Sequence, residues 1–274
     1  MKYVIEADNV SKKIDKNLIL DRVSFKLEKG KIYGLVGANG SGKSTLLKII
    51  MGLSKFEGKI IINGLDTRKH FKEIMKDVGG IVDYVSFYDY LTAEENLRYF
   101  ALLYGVSMER VYEVMKLVKL DVDKKLVKHF SLGMKQRLGI AISLLKDPSI
   151  LILDEPTNGL DPRGIKELRE LLISFDKTII VSSHLISEIE KISDEILFIN
   201  KKKVIEEKVK NDNNKIKFSI IKNNAPKEVI YRCRDNNEIY TIIKKLVEKN
   251  VPVFRVAEEG RELESVLISL MEDE

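Results

Sequence analysis

Apolar and polar positions along the chain keep two different periods, and the switch between them outlines the fold. Residues 2–8 and 18–27 predict strands; in the second, Leu18, Leu20, Val23, Phe25 and Leu27 are apolar, and Asp21-Arg22 interrupts the alternation as a bulge would. Short apolar runs at 32–36, 58–62, 78–82, 149–153, 178–182 and 195–199 predict further strands, the fourth position from the start of this set closing on two carboxylates. Asn63-Gly64 is a turn signal that ends the run before it. Helical spacing takes over elsewhere. Thr92-Ala93-Glu94-Glu95 is a capping box opening a helix to about Tyr104, and 108–120 carries Val111, Val114, Met115, Leu117 and Val118 on one side. Ser131 stands at the N-cap of a helix to about Lys146, and Asp161-Pro162 caps and starts a helix over 163–175. A further helix is predicted at 184–192.

Strands alternating with helices imply a parallel sheet covered on both faces, with residues 84–146 inserted as a helical block. Asn211-Asp212-Asn213-Asn214 reads as a linker. Beyond it, strands at 215–221, 227–233 and 251–257 and helices at 236–249 and 261–272 make a small α+β appendix. The expected division is therefore 1–210 and 215–274.

Composition narrows the class. A hydrophobic fraction of 44% and a charged fraction of 32% describe a globular chain with a core. The net charge of +5 comes from interspersed residues, so nucleic acid is not an expected partner. A lone cysteine, Cys233, fits a reducing cytosol. No apolar run reaches the roughly 18 residues of a membrane span, and the N-terminus lacks a signal-peptide pattern.

The chemistry concentrates after two strands. Gly37-Ala38-Asn39-Gly40-Ser41-Gly42-Lys43-Ser44-Thr45 matches G-x-x-x-x-G-K-[ST] between a strand and a helix. Its glycines let successive N–H groups turn inward to a phosphate, and the helix N-terminus adds positive potential. Lys43 is suited to the β- and γ-phosphates of a nucleoside triphosphate, and the Ser44 hydroxyl to Mg²⁺. The second constellation is Ile150-Leu151-Ile152-Leu153-Asp154-Glu155. A buried strand delivers its C-terminal residues to the crevice where α/β sheets bind ligands. There Asp154 suits the Mg²⁺ shell, and Glu155 suits orientation of a water for in-line attack.

Further motifs identify a family by resemblance. Asp154-Glu155-Pro156-Thr157-Asn158-Gly159-Leu160-Asp161-Pro162 resembles the second nucleotide motif and D-loop of ATP-binding-cassette (ABC) ATPases. Phe130-Ser131-Leu132-Gly133-Met134-Lys135-Gln136-Arg137 resembles their signature motif, and Ser182-Ser183-His184 their switch-histidine region. The motifs keep the family's order over about residues 2–206. The resemblance implies a P-loop cassette with a mostly parallel core sheet, an antiparallel β subdomain and the helical insertion. It also implies ATP and Mg²⁺ as ligands, Glu155 as base, His184 on the γ-phosphate, and Lys43 as phosphate clamp. Ser131, Leu132, Gly133, Met134 and Asp161 would then serve the ATP of a second cassette, and separate transmembrane permease subunits would be energised from the cytoplasmic face.

Two positions depart from the family pattern. Ile14 stands where an aromatic side chain packs on adenine, and Asp83 stands where glutamine reaches the metal through water. An acidic residue near that position, together with the Ser-Leu-Gly-Met-Lys-Gln-Arg-Leu run, is similar to cassettes of bacitracin-resistance and lantibiotic-immunity exporters. The alternative is an ABC-type ATPase that works without a membrane partner, for instance in cofactor assembly.

Overall fold

The computed structural model describes residues 2–83, 86–120, 124–184, 186–200, 202–208, 215–222, 225–232 and 253–258. The predicted linker at 211–214 and the helices predicted at 236–249 and 261–272 lie outside them. The chain divides into two compact units, Met1–Val209 and Lys210–Glu274.

The larger unit opens with long antiparallel strands β1 (Tyr3–Ile14) and β2 (Asn17–Glu28), followed by β3 (Ile32–Val36), α1 (Lys43–Ile50), β4 (Glu57–Ile62) and β5 (Leu65–Asp66). The order β2-β1-β4-β5 forms an antiparallel sheet. The Asp21-Arg22 interruption is a bulge: pairing shifts between Val10↔Val23 and Lys12↔Leu20, and Arg22 takes φ 47°. After the short helix α2 (Phe71–Ile74) come β6 (Val78–Ile81), α3 (Ala93–Tyr104), α4 (Met108–Leu117) and α5 (Leu132–Leu144). Then β7 (Ile150–Leu153), α6 (Pro162–Ile173), β8 (Thr178–Ser183), α7 (Ile186–Ile189), β9 (Glu195–Asn200) and β10 (Lys203–Lys208) complete the unit. Among the described residues the central sheet runs β10-β9-β3-β8-β7-β6. Its strands are parallel except β10, which returns antiparallel along β9.

The central strands are apolar at nearly every position because the sheet is covered on both sides. Tyr33, Leu35, Ile150, Ile152, Ile180 and Leu197 share one core with Leu46, Leu47, Ile49 and Ile50 of α1 and with Ile5, Leu20, Leu27 and Ile60 of the antiparallel sheet. On the other face α6, β8 and α7 enclose a small gap lined by Leu168, Leu172, Val181 and Ile189. Backbone contact is close here. A Cβ on Gly34 would lie 2.0 Å from Ile189 Cγ2 and 2.7 Å from Ser193 Oγ. Gly34→Ala should therefore cost about 1–3 kcal/mol by overpacking, read as a lower midpoint in urea with an unchanged slope.

The helical block agrees with its sequence signals. Thr92 and Glu95 make the reciprocal capping box of α3. On α4, Val111 and Val114 are buried, as is Val118 just past its end, but Leu117 is exposed, so the apolar side is narrower than the sequence pattern indicated. After Asp83, the described Phe87 and Tyr88 are half-buried and Tyr90 is exposed, with Tyr88 packed edge-on against Tyr90 and Tyr99. Predicted helix 184–192 contracts to the four residues of α7. Strand β10 had no sequence prediction, since its lysines and glutamates obscure any alternation. The second unit carries β11 (Lys215–Lys222), β12 (Ala225–Arg232) and β13 (Val253–Glu258), antiparallel in the order β12-β11-β13.

Candidate functional site

The loop from Gly37 to Thr45 joins β3 to α1 and owes its path to glycine. Gly40 and Gly42 take φ 80° and 110°, a region that side-chain-bearing residues rarely enter. At Gly37 a Cβ would meet the Ile199 carbonyl at 2.6 Å. The resulting N-terminus of α1 has no side-chain cap, whereas Thr92, Ser131 and Asp161 cap α3, α5 and α6 with their own oxygens. The first-turn N–H groups of α1 are thus left for an external acceptor.

Side chains in the loop point the same way. Lys43 is 7% exposed, and its ammonium donates to the Gly37 carbonyl at 2.8 Å and the Ala38 carbonyl at 3.3 Å. Glu155 Oε1 lies 3.6 Å from the same nitrogen. The Ser41 hydroxyl is buried without a hydrogen-bond partner among the described residues. A buried ammonium resting on two carbonyls and an orphaned hydroxyl are both groups that a bound phosphate would satisfy.

Asp154 and Glu155 follow β7, and β8 separates that strand from β3. Ser182, fully buried near the end of β8, joins the two carboxylate residues. Its hydroxyl donates to Asp154 Oδ1 at 2.5 Å and accepts the Glu155 N–H at 2.8 Å. Glu155 has φ 48°, a left-handed conformation for a residue with a side chain. Its Oε2 lies 2.8 Å from His184 Nδ1 and accepts the His184 N–H at 3.3 Å. The carboxylate is therefore held between Lys43 on one oxygen and His184 on the other. Sequence reading gave Ser182 no role of its own; a hydroxyl ending an apolar strand beside a carboxylate strand was its only signal. Ser182→Ala should cost about 1 kcal/mol by removing both bonds to its half-buried partners, with slower ATP turnover, read by thermal melting and steady-state rate.

Among the described residues no cluster of three or more His, Cys, Asp or Glu could hold a metal. A hydroxyl and a single carboxylate, Ser44 and Asp154, suit Mg²⁺, which binds through one or two carboxylates, phosphates and water. Asp83 follows β6 with φ 65°, and its carboxylate lies 2.7 Å from Lys48 Nζ, one turn beyond Ser44 on α1. Ile14 is 48% exposed at the end of β1, paired with Asn17 across the hairpin.

The remaining predicted residues gather on a different surface. Ser131 accepts the Met134 N–H at 3.3 Å, and Asp161 accepts the Gly164 N–H at 2.8 Å. With Leu132, Gly133, Met134, Gly159, Leu160 and Arg137 they line an open groove of about 510 Å³ between the starts of α5 and α6. The two loops touch: a Cβ on Gly159 would meet Leu132 Cδ2 at 2.8 Å. The lining contains no residue of the loop from Gly37 to Thr45. Lys43, Asp154, Glu155 and His184 are thus assembled in one place, and Ser131, Gly133 and Asp161 in another.

The family model "ABC transporter" matches residues 20–158. The lantibiotic transport ATP-binding protein SrtF of Streptococcus pyogenes is 46% identical over 210 residues, covering 75% of this chain and 90% of the relative. The bacitracin transport ATP-binding protein BcrA of Bacillus licheniformis is 40% identical over 252 residues, covering 89% and 80%. Among solved structures, the dimeric post-hydrolysis state of the ATP-binding cassette MJ0796 bound to ADP and Pi superposes with a TM-score of 0.67. It is 27% identical, with 75% of this chain and 99% of that chain covered.

Proposed function

Since the chain belongs to the ATP-binding, ATP-hydrolysing subunits of ABC transporters, we propose that two cassettes close on two ATP·Mg²⁺ and so drive separate membrane-spanning permeases, exporting a substrate. The observation that carries the sandwich is the split just described. The loop with its uncapped helix and orphaned Ser41 hydroxyl is one anion-binding surface. The groove headed by Ser131 and Gly133 is another, and it shares no lining with the first. A second copy facing the first brings the two together.

Within each half, the N–H groups of the loop and Lys43 hold the β- and γ-phosphates. Ser44 and Asp154 would hold Mg²⁺, which offsets phosphate charge when bound. Ser182 fixes Asp154 and the Glu155 backbone, so the Glu155 carboxylate stands beside Lys43 to orient water and take its proton. His184, hydrogen-bonded to that carboxylate, keeps it in place and presents its remaining ring nitrogen toward the γ-phosphate. Asp83, now ion-paired with Lys48, would reach the metal through a water, and the exposed Ile14 would pack on adenine. Residues 1–210 make the cassette, and 215–274 a small regulatory or dimer-supporting extension.

Export rests on Asp83 and the Leu132-containing run, which resemble those of bacitracin- and lantibiotic-type exporter cassettes, and cytoplasmic-face attachment on the transport named for the relatives. Sedimentation of Glu155→Gln tests the sandwich. ATP with Mg²⁺ is expected to give dimers and ADP monomers, and a chain that stays monomeric with both would refute it.

A further inference from the structure

The groove between α5 and α6 is lined by a largely covered cation, Arg137, four residues beyond Gly133 on the same helix side. It is 15% exposed at the side chain. Its Nη1 donates to the Val118 carbonyl at 2.7 Å, just past the end of α4, and its Nη2 donates to Glu167 Oε2 on α6 at 3.0 Å. Glu167 uses its other oxygen for Arg163 Nε at 2.9 Å, and the two guanidiniums hold its carboxyl below the usual carboxylate range, Arg163 more than Arg137. Arg163 itself is 87% exposed.

Neither helix start needs this network for its own ends, because Ser131 and Asp161 already cap them. Contact between the two loops is light and apolar, with glycine at both points: Gly159 faces Leu132, and Gly133 faces Leu160. Among the described residues the Arg137–Glu167 bond is the one hydrogen bond linking α5 to α6. The fork geometry matters. A guanidinium supplies a carbonyl and a carboxylate at once from a rigid plane, which an ammonium on a flexible stem does not reproduce.

We propose that Arg137 is a positioning residue of the composite ATP site. Through Glu167 it holds the Ser131–Gly133 end of α5 and the Asp161 end of α6 at one spacing, so that both meet a second copy together. This rests on the two-cassette reading above, since neither end touches the chain's own phosphate loop.

The test uses the full chain carrying Glu155→Gln, with dimer formation followed by sedimentation against ATP concentration and monomer affinity by titration with a fluorescent ATP analogue. Adding Arg137→Ala is expected to weaken ATP-driven dimerisation at least tenfold while monomer nucleotide affinity stays within twofold. Arg137→Lys should recover only part of the loss. Glu167→Ala, at a half-exposed site that tolerates the change, should reproduce most of it and serves if Arg137→Ala does not fold. The double variant should be no worse than Arg137→Ala alone, because the two residues act through one bond. Unchanged dimerisation in Arg137→Ala and Glu167→Ala overturns the role. So does a loss of monomer nucleotide affinity and melting temperature in step with dimerisation, which marks a fold contact only. A Glu155→Gln parent that stays monomeric with ATP removes the composite site itself, and the positioning role with it.

Discussion

Glu155→Gln is expected to lower ATP turnover by about 10²–10⁴-fold, the range a positioned general base commands, with nucleotide affinity undiminished. Glutamine keeps the size of the side chain and can still accept the His184 N–H, so the hydrogen-bonded frame around position 155 persists. What is lost is the capacity to take a proton. The negative charge beside Lys43 also disappears, which removes a competitor for the ammonium and favours the phosphate complex. Steady-state phosphate release and equilibrium binding measure the two halves separately. An unchanged rate would remove Glu155 from the chemistry.

Lys43→Ala acts on binding. The ammonium is buried, so its loss removes a desolvated charged partner of the phosphates, an interaction whose truncation costs about 2–5 kcal/mol. At about 1.4 kcal/mol per decade, affinity for ATP should fall by roughly 30-fold or more. Two loop carbonyls, Gly37 and Ala38, also lose their donor, and the loop should become easier to deform. Titration with a labelled nucleotide reads the affinity, and retained tight binding would show that the backbone N–H groups suffice.

Much of this site was legible because its parts are local. The glycine spacing of 37–45, the apolar strand ending in Asp154-Glu155 and the caps at Ser131 and Asp161 are set by residues close in sequence, and each stands where the pattern puts it. Ser182, Lys48 and the Arg137–Glu167 pair were not legible as partners. Their bonds cross 28, 35 and 30 positions, and nothing in local periodicity says which hydroxyl or cation a carboxylate will meet. The same holds for β10, a charged edge strand defined by β9 beside it. Leu117 was misplaced for a related reason. A ten-residue helix offers several overlapping apolar sides, and its packing partners choose among them.

The placement of β8 between β3 and β7 has a further consequence. Adjacent strands lie about 4.8 Å apart, so the backbones of β3 and β7 run roughly 10 Å from one another. The side chains of Lys43 and Glu155 close that interval to 3.6 Å. Strand β8 is thus the spacer on which both motifs depend, and Ser182 near its end ties the carboxylate residues to it. A change that displaced β8 would shift both motifs at once.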